Sequence, residues 1–235
     1  DMEITLPDEV PVMTLPQTAF FPQALMPLHI FEPRYRRMLS DVLASNRLFA
    51  VAGLNLDKFG LNAPAEPPHR VATVGIVRAC QKNDNGTSNL LLQGLCRVEI
   101  TRIIRDEPYR KIEVRALTSQ AGASDDENQT LRKELSRLLN LKQKLVAKGQ
   151  TEPTGSGEMA AFLKTVEDPE AFVDIAAFSL CEDPGLKQKL LETLDVHRRL
   201  ELFGGRLRHE IEQLRRQIDE AGRAIARQEG WMSNE

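Results

Sequence analysis

Val71-Ala72-Thr73-Val74-Gly75-Ile76-Val77-Arg78-Ala79-Cys80 and Asn89-Leu90-Leu91-Leu92-Gln93-Gly94-Leu95-Cys96-Arg97-Val98-Glu99-Ile100 are apolar runs separated by Lys82-Asn83-Asp84-Asn85-Gly86. Asn-Gly supplies the positive φ angles of a tight hairpin, so the stretch predicts two long antiparallel strands. Downstream, Tyr109 to Leu117 sets Ile112, Val114 and Ala116 against Lys111, Glu113 and Arg115, the alternation of a half-buried strand. Upstream, Asn55 to His69 is polar and proline-rich, a surface loop, and Leu48 to Leu54 reads as a buried strand. Further back, Pro33 suits the first position of a helix whose Tyr35, Met38, Leu39, Val42 and Leu43 form one apolar stripe. Leu25 to Phe31 is extended, Phe20-Phe21-Pro22 turns the chain, and Val10 to Leu15 is a short strand that Pro11 assigns to an edge. About six strands and one helix in this half point to a small barrel or folded-over sheet plugged by the helix.

Past Ser119-Gln120-Ala121-Gly122-Ala123-Ser124, a small polar linker, the composition turns to Leu, Lys, Glu, Arg and Gln at helical spacing. The fold class is therefore α+β, with a β-domain over 1–119 and a helical bundle over 124–235. Ser124-Asp125-Asp126-Glu127 is a capping box before a helix bearing Leu131, Leu135, Leu138, Leu139 and Leu145, and Gly149 to Gly157 breaks it. A short helix is expected from about Glu158 to Val166. Asp168-Pro169 and Asp183-Pro184 each pair a cap residue with proline in the first turn, marking two more starts. Asp195 caps a last, long helix in which Leu207, Ile211, Leu214, Ile218, Ala221 and Ile225 alternate spacings of 4 and 3, a packed or coiled-coil seam. That seam is expected to pack within the bundle, with a homodimer through the helix as the other possibility, and Gly204-Gly205 marks a point where the helix could bend.

The totals narrow the function. Thirty-one basic and 34 acidic residues give a net charge of -3, so no overall field attracts a nucleic-acid backbone or an anionic membrane. Cys80, Cys96 and Cys181 make no C-x-x-C pair, as expected of a chain in a reducing cytoplasm. No basic stretch followed by an apolar run opens the sequence, so no signal peptide is expected, and no run is long enough to span a membrane. The phosphate-binding string G-x-x-x-x-G-K-[ST] is absent, and Gly155-Ser156-Gly157 lacks the spacing of a serine-hydrolase elbow. His29, His69, His197 and His209 are scattered, never at metal-ligand spacing. No catalytic residue, metal site or cofactor is assigned.

One concentration of side chains stands out. Phe20, Phe21, Met26, Phe31 and Tyr35 fall within sixteen residues of a chain that is 5% aromatic. They form either the core of the β-domain or an exposed apolar groove for polypeptides, in which Met would adapt to varied clients.

Val12-Met13-Thr14-Leu15-Pro16, Phe21-Pro22 and Met26-Pro27-Leu28 before the first helix resemble the amino-terminal domain of Lon proteases. So do Val74-Gly75-Ile76-Val77, Asn85-Gly86-Thr87 and Leu92-Gln93-Gly94-Leu95-Cys96-Arg97-Val98, in the order of that family's second hairpin. In the helical half, Glu167-Asp168-Pro169-Glu170 and Leu190 to Leu200 are similar to the stretch that closes the same region. The resemblance runs from about residue 10 to 228. It implies a PUA-like pseudo-barrel followed by a helical bundle with a long last helix, and a non-catalytic role in binding unfolded or partner polypeptides, as an adaptor or holdase. The ATPase and peptidase domains that follow in Lon proteases have no counterpart before Glu235, and a stand-alone member is the expectation. PUA-like folds also occur in RNA-modifying proteins. That makes RNA binding the alternative, with Arg70, Arg78, Arg97, Arg102, Arg105, Arg110 and Lys111 as its basic face. Cereblon, which carries a Lon-like domain, binds ligands in an added zinc-bearing domain whose cysteine pairs are missing here.

Overall fold

The computed structural model describes residues 4–148 and 156–232, so most of the Gly149–Gly157 breaker and the Ser of the Gly155-Ser156-Gly157 string lie outside the described side chains. Six strands and one helix make the first half: β1 (Glu9–Leu15), β2 (Leu25–Ile30), α1 (Pro33–Leu43), β3 (Leu48–Gly53), β4 (Val71–Lys82), β5 (Ser88–Arg105) and β6 (Lys111–Ala116). The order β2-β5-β4-β3-β1-β6 closes on itself because β6 also pairs with β5. The hairpin strand β5 is long enough to serve two partners. Its first part pairs with β2 from Ser88 to Gln93, and its second pairs with β6 from Val98 to Arg105. Five strands thus form a small barrel, and β2 is a flap on its side.

Pro11 does not mark an edge. β1 lies between β3 and β6, parallel to the first and antiparallel to the second. Its pairing with β3 begins only at Val12↔Ala50, so the missing N–H of Pro11 costs that ladder no bond. The true edge strand is β2, with Pro27 near its middle.

Strand periodicity sorts the side chains into two cores. Val10, Val12, Leu48, Ala50, Ala52, Ala72, Val74, Val98 and Ile112 fill the barrel. The alternate positions Met13, Phe49 and Val51 point outwards into a larger core shared with α1 and the helical half. β3 is buried along its whole length because both its faces are covered.

The helical half comprises α2 (Asp125–Ala147), α3 (Ser156–Leu163), α4 (Pro169–Leu180), α5 (Pro184–Glu192) and α6 (Val196–Met232). Its starts are those the caps predict. Ser124 and Glu127 form the reciprocal capping box, and Asp168, Asp183 and Asp195 accept from Ala171, Leu186 and Arg198 amides. α6 runs unbroken through Gly204-Gly205. The larger core joins Phe20, Phe21 and Met38 to Leu135, Phe172, Leu190 and Phe203, so the helices pack directly on the outer face of the sheet.

α2 and α6 are parallel: His197 Nδ1 lies 2.9 Å from Asn128 Oδ1, and Lys142 bonds Glu210 at 2.9 Å near the other end. α2 stops at Ala147, roughly level with Arg215. Leu207 and Ile211 are therefore buried and Leu214 half-buried, whereas Ile218 and Ile225 are 42% and 57% exposed. The seam packs inside the bundle only as far as its partner helix reaches.

Candidate polypeptide-binding surface

Of the five side chains singled out in the sequence, four are core. Phe20 packs edge-on to Phe178 of α4, with ring centroids 6.1 Å apart, and its carbonyl accepts from the Thr73 hydroxyl. Phe21 is fully enclosed beneath the guanidinium of Arg97. The turn that carries them lies against Gly94, where any side chain would overlap the Phe21 carbonyl, and Gln23 and Ala24 exchange backbone bonds with the same glycine. Met26 points to the buried side of β2, and burial pushes the Tyr35 phenol up. A groove lined by all five is therefore not formed: the helical half covers Phe20 and Phe21, and strand alternation turns Met26 inwards.

Phe31 is the exception, 59% exposed. Alternation places Leu25, Pro27 and His29 of β2 on the same outer side, and all three are exposed. Pro27 pairs with Leu91 of β5, which pairs with Ala79 of β4, so a row of small and large apolar side chains crosses this face. The Phe31 ring stacks on His29 at 5.9 Å, and His29 Nδ1 lies 2.7 Å from Asn89 Oδ1. An exposed aromatic is thus braced by a hydrogen-bonded neighbour, which lowers the conformational entropy lost when a partner binds.

A second exposed apolar group lies on the loop between β3 and β4. Leu56, Phe59 and Leu61 all face solvent. The loop is tied down beside the start of α1: Arg34 donates both terminal nitrogens to Glu66, at 2.6 and 3.0 Å, and its Nε to Glu32. Arg110 donates to the carbonyls of Ala65 and Glu66 from the other side. Reading Asn55 to His69 as a polar surface loop passed over these residues. The signal was three large apolar side chains within a segment too short and too broken to bury them.

Of the seven basic positions, only Arg78, bonded to the Gln93 amide, and Arg105, bonded to the Glu107 carbonyl, are exposed and meet no carboxylate among the described residues. Arg97 and Arg110 are buried. Arg70 and Arg115 both engage Glu99, Arg102 engages Glu113, and Lys111 engages Glu9. These carboxylates cancel the field that a phosphate backbone would need. Among the described residues no three His, Cys, Asp or Glu side chains group as metal ligands, and no helix is long and apolar enough to cross a membrane.

A closed five-strand barrel with a flanking edge strand, continued by a helical bundle, defines a class that comparison with known proteins makes specific. The family model for the ATP-dependent protease La (LON) substrate-binding domain matches residues 9–209. The chain belongs to that family. It is 29% identical over 213 residues to a Lon protease of Desulfosudis oleivorans and 28% identical over 210 residues to one of Dictyoglomus thermophilum. Each match covers 89% of this chain and 25% of the relative, so the chain spans about a quarter of the length of the curated relatives it matches. The solved amino-terminal domain of the Mycobacterium avium complex Lon protease aligns with a TM-score of 0.60 and 19% identity, over 83% of this chain and 95% of that one. The Lon amino-terminal domain protein of Xanthomonas campestris aligns at 0.54 and 21%, over 82% and 95%. Both likenesses bear on the fold.

Proposed function

We propose that the chain is a non-catalytic polypeptide-binding module, acting as an adaptor or holdase, that takes extended apolar segments on the outer face of β2, β5 and β4. The observation that carries this reading is the row Leu25, Pro27, His29 and Phe31 on a free strand edge, with Phe31 braced by His29 and Asn89. An exposed aromatic anchor in an apolar strip is the kind of feature that dominates binding energy at protein interfaces. Membership of a family named for substrate binding supports it. Pro27 removes one donor from the edge, so side-chain contacts rather than strand addition would supply most of the affinity. Leu56, Phe59 and Leu61 offer a second apolar contact for longer clients.

The test is suppression of aggregation when a chemically unfolded protein is diluted with the chain present. Dose-dependent suppression, weakened by Leu56→Ser with Phe59→Ser and abolished when Leu25→Ser and Phe31→Ser are added, is expected of a holdase. Binding without suppression would assign the adaptor role. Suppression that survives all four changes would contradict the surface.

A further inference from the structure

The β4–β5 hairpin has a second side. Ala79 and Cys80 are neighbours on β4 and so point to opposite faces, Ala79 with the apolar row and Cys80 towards α1. On the α1 side lies a cleft of about 680 Å³. Leu39, Leu43 and Cys80 give it an apolar base, and Arg36, Arg47 and Lys82 line it with positive charge. Among the described residues, no acidic one lines it. The neighbouring Arg34 and Arg37 have carboxylate partners, but among the described residues Arg36, Arg47 and Lys82 have none within 4.0 Å.

Two of these cations, Arg47 and Arg36, are held in place by the backbone around them. Arg47 follows the end of α1 with φ of +64°, a left-handed position that glycine or asparagine fills at least cost. Its backbone N–H donates to the Val42 carbonyl, and Val77 N–H donates to its own carbonyl. Its Nε donates to the Val77 carbonyl at 2.9 Å, leaving both terminal nitrogens without a protein acceptor among the described residues. Arg36 reaches over the hairpin turn at Gly86, whose φ is +83° and where any side chain would overlap the guanidinium. In a chain of net charge -3, three cations without a carboxylate partner among the described residues, around one apolar-based cleft, are a local concentration, not a general field.

We propose that this cleft binds an acidic polypeptide segment that also carries an aliphatic side chain, its carboxylates on Arg36, Arg47 and Lys82 and its aliphatic group on Leu43 and Cys80. Three cations match two or three carboxylates along a few extended residues, at about 3.3 Å per residue. Nucleic acid fits less well, because among the described residues no aromatic side chain lines the cleft for a base to stack on. The site goes beyond the apolar outer face and is tested apart from it.

The experiment is fluorescence anisotropy of the full chain with a labelled peptide of alternating Glu, Leu and Asp, and with an analogue in which each acid is its amide. Arg36→Gln with Lys82→Gln removes two charges at exposed positions. Arg47→Gly removes the third at a backbone position that glycine prefers, and thermal melting checks that each variant folds. Saturable binding of the acidic peptide, at least about tenfold weaker for the amide analogue and for either variant but unchanged in Phe31→Ser, is the expected result. Equal affinity for the two peptides, full affinity in the variants, or no saturable binding at low salt would overturn the site. Tighter binding of a short RNA through the same three residues would overturn the acidic-peptide assignment.

Discussion

Asp174 of α4 receives both terminal nitrogens of Arg97 of β5, at 2.6 and 2.7 Å, with both side chains almost wholly excluded from solvent. Seventy-seven residues separate them in sequence. Arg199 of α6 donates to the same carboxylate at 2.8 Å, and also to the Thr193 carbonyl and the Ser119 hydroxyl. Arg97 Nε caps the carbonyl of Leu191 at the end of α5. Glu170, 3.5 and 3.8 Å from the two guanidinium groups, brings the cluster to charge balance. One buried ionic cluster thus joins the barrel, the linker and three helices.

Removing its centre should be severe. Asp174→Ala leaves two buried guanidinium groups without their shared partner, a defect of about 3–5 kcal/mol. Urea unfolding should show that loss as one cooperative transition, because the shared core couples the halves. Two separated transitions, with the barrel unaffected, would contradict the coupling.

Exposure decides the next contrast. Phe21→Ala opens a cavity in the shared core and should cost about 3–5 kcal/mol. Phe31→Ser, on the outer face, should change stability by no more than about 0.5 kcal/mol. Equal losses in the two variants would place Phe31 in the core.

The bond from Arg34 holds the Glu66 carboxyl below the usual carboxylate range. A carboxyl whose value is lower folded than unfolded contributes stability above its unfolded value, about 4.3, and loses it as pH falls through the folded value. Both partners are partly exposed, so the contribution is at most about 1 kcal/mol. The stability gap between the wild type and Glu66→Gln, measured by urea unfolding, should be open at neutral pH and close in acid. A gap that widens in acid would contradict the strap.

Along α6, Leu207→Asp should unfold the bundle, while Ile218→Asp should leave the melting temperature within a degree or two. We place any self-association of the chain on the exposed stretch through Ile218 and Ile225. Any dimer that sedimentation shows should then be concentration-dependent and abolished by Ile218→Asp. A dimer that persists in this variant would move the contact elsewhere.

Strands, caps and helix starts were legible because each rests on local chemistry: Asn85-Gly86 for the hairpin, Ser124 and Glu127 for α2, Asp183-Pro184 for α5. What failed was neighbourhood. Pro11 could not reveal that β1 has partners on both sides, since pairing depends on strands far along the chain. Arg97 sits among residues that alternate like a solvated face, and only the Asp174 carboxylate and the Leu191 carbonyl, from distant helices, explain its burial. The same holds for the candidate surface. Phe20 and Phe31 are alike in sequence, but one packs on Phe178 in the core and the other stacks on His29 with 59% of its surface exposed.

The most direct test of the polypeptide-binding reading is the affinity of the chain for fluorescently labelled reduced casein, measured for the wild type and for Leu25→Ser with Phe31→Ser. Saturable binding, at least about tenfold weaker in a variant that melts like the wild type, is the predicted result. Undiminished binding by that variant, or none by the wild type up to tens of micromolar, would contradict it.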